Sequence, residues 1–448
     1  YMYTESELLG DLFPEFARCR SHQTHKYGLS DFTSPVQPAK AGEARASRLH
    51  YNSSTGVIPE HVASKYFVKI MANHPWRTWD SSKAAVFIVP LDLEAFQPEV
   101  GKRKRCNLLY YDSVIKHGLE SLRNTATFQA ANGTDHLWVV AQNNPEQTLQ
   151  MVAPRAGRFV RESSVLSNMI AGVIEVFSFR KVVPVFSEGN WASYTFVHRK
   201  PRKHHNALRR PPFRRPWRCS LPVPYVQSFA FSPLPPDALD FQQWLDRRYM
   251  FFHHAGVRYQ DKLSERLRKQ AFQVRSVAAE PSRALLGDSY VHSDVLVNGF
   301  KSSRFCFCIA GRGGGASRKF YDAVAHGCLP VVIVDTWLYT AAPFNDYVDH
   351  EAYAIFFTQE RWMKDLTTII RELESMQPSS LYQRVSYMQR VAPFLLYDRS
   401  NGHALGAALL WQASSRCTFS DRNVNDTSIY PIGVPLFRAT PRLSPRLA

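Results

Sequence analysis

The residues best suited to do chemistry lie between Cys308 and Asp335, in "CIAGRGGGASRKFYDAVAHGCLPVVIVD". An apolar run leads into a glycine-rich turn, then a short helical pattern, a second apolar run and a terminal carboxylate. Gly311, Gly313 and Ala316 spell G-x-G-x-x-A, and Asp335 stands about twenty residues on, the spacing of a dinucleotide fingerprint. After the turn, Ser317 can cap a helix whose unpaired N–H groups face an anion. Arg312 and Arg318 add planar forks that match phosphate oxygens. Asp322, four residues beyond Arg318, falls on the same helical face, where a carboxylate can accept both hydroxyls of a ribose or simply pair with that arginine. Two details weigh against a dinucleotide: the helix has room for barely ten residues before "HGCLP", and the motif sits in the second half of the chain.

The elements that would position these residues alternate along the chain. "AAVFIVPLD", "HLWVVAQ", "RYMFFHHAG" and "RFCFCIAG" are apolar runs of strand length, as expected of strands buried on both faces of parallel sheets. "SKYFVKIMANHPWRTWD" reads as an amphipathic helix stopped by Pro75, and "YQDKLSERLRKQAF" as another. Recurrent strand and helix predict an α/β architecture. His253 and His254 end one predicted strand, where loops line a cleft and where core packing is the default for one of the two.

At 448 residues and 45% hydrophobic, the chain can bury a core of two-domain size. No apolar run approaches the ~20 residues needed to cross a bilayer. Seven cysteines, without C-x-x-C pairs or histidine at metal spacing, argue against zinc. Cys306 and Cys308 share a strand face and read as small buried hydrophobes; the odd count leaves at least one thiol without an intramolecular partner. Sequons start at Asn52, Asn132 and Asn425 and permit a secretory location. Net charge is +17, and Arg199 to Arg218 holds nine Lys or Arg with four prolines and no acid. That stretch reads as a solvated insertion able to meet polyanions, with too few aromatics, Phe213 and Trp217, for specific nucleic-acid binding.

In wider context, "SSRFCFCIAGRGGGASRKFYDAVAHGCLPVVIVDTW" followed by "APFNDYVDHEAYAIFF" resembles the core of the exostosin glycosyltransferases, family 47. "YMYTES", "HPWRTWDSSKAAVFIVPLDL", "GTDHLWVV" and "LPVPYV" match further blocks of that family in order, from about residue 1 to about residue 395. The resemblance implies a GT-B fold of two Rossmann-like domains facing a central cleft. Its expected divisions are an acceptor-side domain over 1–197, a basic proline-rich insertion and linker over 198–247, a nucleotide-sugar domain over 248–400, and a C-terminal helix and tail over 401–448. It implies inverting transfer from a nucleotide sugar, UDP-linked in most members, to a polysaccharide or glycoprotein glycan, with the diphosphate neutralised by a helix end and basic side chains. No D-x-D occurs in the sequence, so neither a metal nor any other cofactor is expected.

By this analogy Gly311, Arg312, Ser317 and Arg318 hold the diphosphate and Asp322 the ribose. Gly327 and Pro330 shape the turn behind them. Asp135, His136 and Asp80 are the candidates for the base; Asp80 has an equal claim as a cap, with Arg77 beside it. The sequence departs from the family at "SSKAA", where Ala85 replaces an acid, at "APF" from Ala342 to Phe344, at His350 in place of tryptophan, and in "CIAG", which lacks a proline. An alternative is therefore a catalytically weak paralogue that binds glycan or a partner enzyme, and homo- or hetero-oligomers stay open. The expected location is the Golgi or another secretory lumen, held by an N-terminal membrane anchor missing from this sequence.

Overall fold

The computed structural model describes residues 1–14, 63–91, 108–140, 154–163, 168–173, 219–228, 240–255, 262–288, 293–310, 318–335, 337–345, 347–397 and 403–417, with a few isolated positions besides. The basic stretch from Arg199 to Arg218 lies outside them, as do Gly311, Arg312 and Ser317.

The protein is mixed α/β with two parallel sheets. In chain order the strands are β1 (Phe87–Ile88), β2 (His136–Val139), β3 (Ile170–Val173), the antiparallel pair β4 (Val182–Val183) and β5 (Thr195–Phe196), β6 (Cys219–Pro222), β7 (Tyr249–His254), β8 (Ala284–Gly287), β9 (Ser303–Ile309), β10 (Leu329–Ile333) and β11 (Ile355–Phe356). The first sheet runs β1-β2-β3-β6, all parallel, with Met2 bridged to Ile88 at its outer side. The second runs β11-β10-β9-β7-β8, also parallel. Numbered from β7 that order is 2-1-3-4-5, so the strand order reverses between β7 and β9, the switch point at whose carboxyl ends such sheets form their ligand crevice.

Side-chain alternation explains how the first sheet is covered. Ile88, Leu137, Val139 and Ile170 face a large core that continues into the second sheet. Phe87, Val89, Trp138 and Val140 face a smaller one, closed by Val114, Ile115, Leu119 and Leu122 of the helix Leu108–Arg123. Both faces are buried, which is why these strands read as unbroken apolar runs. The "HLWVVAQ" run opens with β2, and "RFCFCIAG" contains all of β9 but its first residue, Ser303, as the sequence predicts.

Four further helices position the site: α1 (Ala63–Ala72), α2 (Lys262–Phe272), α3 (Lys319–Ala325) and α4 (His403–Cys417). In α1, Ala63, Tyr66, Phe67, Ile70 and Met71 recur at i, i+3, i+4, i+7 and i+8 and form one buried face. The helix α4 returns to lie on that face and against β6. Gly406 makes the approach possible, because a Cβ there would stand 2.3 Å from Met71 Cε. A disulfide from Cys219 at the start of β6 to Cys417 at the end of α4 fastens the return. Within the second sheet Cys306 is bonded to Cys328. Cys306 is therefore a disulfide half and not the plain buried hydrophobe its spacing suggests; the partner lies 22 residues on, at the entry to the neighbouring strand, which spacing within one strand cannot reveal. Cys308, on the same face, stays a buried thiol.

Gly327 sits in the turn between α3 and β10 with φ +68°, as expected. Its carbonyl accepts from Trp244 Nε1 at 2.7 Å and Arg247 Nη1 at 2.9 Å. Pro330 lies inside β10, in register with Cys306, and does not shape that turn.

Candidate active site

In open α/β sheets a ligand binds outside the carboxyl ends of the strands where the order reverses. Here that place is the mouth between β7 and β9. Around it stand His253 and His254, which end β7; Gly287, which ends β8; and Ala310, which follows β9. Arg268 reaches in from α2 and donates through Nε to the Ala310 carbonyl at 3.3 Å, with its side chain buried. Arg318 and Lys319 open α3 at the same edge. Burial pushes the Lys319 ammonium down to about 7, and the neighbouring Arg268 guanidinium pushes the same way. Three cationic side chains thus converge on one crevice, and a bound polyanion would relieve their mutual repulsion. Sequence spacing singles out Arg318 alone, since Lys319 is its neighbour in a basic pair and Arg268 comes from another helix.

His253 and His254 divide as strand alternation requires. His253 is 1% exposed, its Nδ1 lies 3.3 Å from the Phe307 carbonyl, and its Nε2 has no partner among the described residues. The carbonyl can only accept, so Nδ1 carries the proton and Nε2 is a bare acceptor. Burial, then Lys319, holds the ring well below the usual histidine value. His254 is half-buried at the sheet edge.

Asp322 is placed otherwise than its spacing suggests. It is only 4% exposed and forms no surface pair with Arg318. Its Oδ1 accepts from the Ser228 backbone N–H at 2.5 Å and its Oδ2 from the Ser228 hydroxyl at 2.7 Å. Ser228 follows β6, so the carboxylate binds the exit of the first sheet to the first turn of α3, and a ribose would have to displace it. Burial raises the carboxyl, opposed by Arg318 and by the two bonds from Ser228. Asp335, the dinucleotide-style acid, accepts from Gln359 N–H at 2.7 Å, the first N–H of the helix Gln359–Lys364, whose N-cap is Thr358.

The three residues considered for the base do not stand at this edge. Asp135 and His136 lie at the amino end of β2, and Asp80 precedes β1. His136 is fully buried, with Nδ1 2.6 Å from Asp135 Oδ1 and Nε2 2.8 Å from the Tyr3 hydroxyl, which in turn meets Thr127 Oγ1 at 2.5 Å. Burial lowers its pKa against the pull of Asp135. In the neutral ring Nδ1–H donates to Asp135 and Nε2 accepts from Tyr3, a chain that pins the N-terminal segment to the sheet. Asp80 caps a short turn, accepting from Ser82 N–H at 3.0 Å and Ser82 Oγ at 2.6 Å, and lies 3.5 Å from Lys83. Arg77 does not pair with it; that guanidinium donates to Ala72 O at 2.7 Å and covers the Trp79 ring at 3.6 Å. His350, in the place of a family tryptophan, is buried between Pro343 O and the Tyr353 hydroxyl, each at 2.7 Å, and edge-on to Trp337.

The Exostosin GT47 domain model matches residues 46–373. The chain belongs to the exostosin GT47 family. It is a glycosyltransferase by that membership, and a nucleotide-sugar donor and a glycan acceptor are the substrates the family implies. No curated protein matches the exostosin chain at a significant level. Among solved structures it is similar to an alpha,alpha-trehalose-phosphate synthase (UDP-forming) from Burkholderia vietnamiensis, at 10% identity and TM-score 0.33, over 75% of this chain and 72% of that one. The enzyme of the same title from Burkholderia xenovorans, in complex with glucose-6-phosphate, gives 11% identity and TM-score 0.31, over 73% and 72%. An alpha,alpha-trehalose 6-phosphate synthase from Burkholderia multivorans gives 9% and 0.33, over 80% and 76%. Likeness at this level carries nothing about the site. Among the described residues no group of three or more His, Cys, Asp or Glu could hold a metal ion, and no helix is long and apolar enough to cross a membrane.

Proposed function

We propose that the chain moves a sugar from a UDP-sugar to a glycan acceptor with inversion at the anomeric carbon, using side-chain cations in place of a metal. The observation that carries this is the convergence of Arg268, Arg318 and Lys319 on the crevice between β7 and β9. As the bond from the sugar to the diphosphate breaks, negative charge grows on the leaving oxygen, and fixed cations at that place stabilise the transition state more than the ground state. The two parallel sheets then serve as donor and acceptor halves of a GT-B arrangement, with Asp322 and Ser228 holding one against the other. Asp80, Asp135 and His136 serve the fold of the first sheet, and the acceptor's proton goes to a group on the carboxyl edge.

The two disulfides among the described residues support a secretory, Golgi-type lumen as the place of work, since such bonds persist in oxidising compartments. The acceptor class, a polysaccharide or a glycoprotein glycan, rests on the family resemblance.

The test is thermal stabilisation by UDP, followed by mass spectrometry of reactions with a panel of UDP-sugars. UDP should raise Tm equally with and without EDTA, by the mass action of a ligand that prefers the native state. R318A with K319A should abolish that shift, read against the variant's own Tm without ligand. A response to NADH and not to UDP would sink the proposal.

A further inference from the structure

We propose that His254 is a phosphate-binding residue of the donor site, donating from its imidazolium to the diphosphate of the sugar nucleotide. This rests on the donor-site reading above and adds a residue that neither the glycine turn nor the arginines point to.

The geometry begins with β7. Its last two residues point to opposite faces, and His253 takes the buried one. His254 is left at the carboxyl edge, in register with Gly287, the last residue of β8. A Cβ at Gly287 would stand 2.4 Å from His254 Cδ2 and 2.6 Å from Nε2, so the imidazole lies directly over that backbone and any larger residue would displace it. The absence of a side chain at one position thus fixes the place of the ring at the other. β8 flanks β7 on one side and β9 flanks it on the other, and Lys319 follows β9. The ring therefore stands at the carboxyl edge on the β8 side of β7, close enough to Lys319 for the ammonium to act on it, and Arg268 comes from the helix that follows β7.

Among the described residues, the charged groups that act on His254 are the Lys319 ammonium and the Asp288 carboxylate. Burial, then Lys319, lowers its pKa, with Asp288 opposing. An empty site thus keeps the ring neutral. A diphosphate between ring and ammonium reverses the sign of the local field, and the imidazole takes up a proton and donates it into a charge-assisted hydrogen bond. A histidine that only covered Gly287 would show no such coupling.

Isothermal titration of UDP at pH 7, in HEPES and in Tris, reads both affinity and protons bound from the difference in buffer ionisation heat. The wild type should bind UDP with net proton uptake, part of it at Lys319. In H254Q the uptake should fall and Kd should rise by roughly tenfold, the effect of one hydrogen bond to a charged group. G287A, which keeps the imidazole but moves it, should weaken UDP and inorganic pyrophosphate alike while leaving uridine unaffected. Unchanged Kd and proton uptake in H254Q, with UDP binding intact in the wild type, overturns the assignment of His254 alone. Wild-type protein that binds neither UDP nor pyrophosphate overturns the donor-site reading and this one with it.

Discussion

Ser228 gives both of its donors to Asp322: the backbone N–H to one carboxylate oxygen and the hydroxyl to the other. The pair is buried and joins the exit of β6 to the helix that carries Arg318 and Lys319, so the position of those cations depends on it. S228A removes the hydroxyl donor and keeps the backbone N–H, so one carboxylate oxygen loses its partner in a dry place; D322A leaves both donors of Ser228 unpaired, which costs more than the net worth of the bonds. We expect S228A and D322A each to lower stability by about 1–3 kcal/mol, and the double variant to cost well under their sum. Urea denaturation of all four proteins checks the cycle. Strict additivity would mean that the two residues do not hold each other.

Acid should unfold the protein early. Burial lowers the pKa of His74, His136 and His253, and it lowers His326 to about 4. For each, the unfolded chain binds a proton below about 6.5 while the folded chain does not. Their stabilising effect is complete above that pH and is lost as pH falls from there towards the folded values. His326 alone spans about 6.5 to about 4, worth on the order of 3 kcal/mol. The urea midpoint should drop steadily between pH 6.5 and 4.5, and H326Q should flatten the curve. A midpoint independent of pH over that range would contradict the neutral, buried assignment.

The Cys219–Cys417 bond closes a loop 198 residues long. Cross-links of such span restrict the unfolded chain most, and losing one costs about 2–5 kcal/mol. C219S with C417S should lower Tm by several degrees and make α4 the first segment cut by a protease. An unchanged cleavage pattern would show that α4 is held by packing alone.

Asn132 ends the helix Ala126–Ala131 in the left-handed region, φ 50°, and is exposed, with Gly133 and Thr134 completing the sequon. Made in a secretory host, the chain should carry a glycan there. N132Q should remove one glycan's mass, seen as a shift in peptide-N-glycosidase mapping; no difference would show the site unused.

The central strands were legible because they are buried on two faces: "HLWV" and the body of "SRFCFCI" are unbroken apolar runs, whereas β8, mostly half-buried, and the short β3 carry no such signal. The crevice was half legible. Glycine turn and basic helix start are local patterns, whereas Arg268 reaches Ala310 from 42 residues away and leaves no local trace. Asp322 shows the limit of spacing. A carboxylate one turn from an arginine looks like a surface pair or a sugar contact, and only the path of the chain after β6 reveals the serine that takes it. The same holds for His136, whose strand-start position suggests a cleft but whose burial against Tyr3 comes from a contact 133 residues apart.

The return of α4 to the first sheet has a consequence for synthesis. The face of α1 that packs on the early strands is covered by a helix made near the end of the chain, so the amino-terminal half emerges from the ribosome with an open hydrophobic flank. That flank closes only when α4 arrives, and a product truncated before residue 403 would leave the buried face of α1 open.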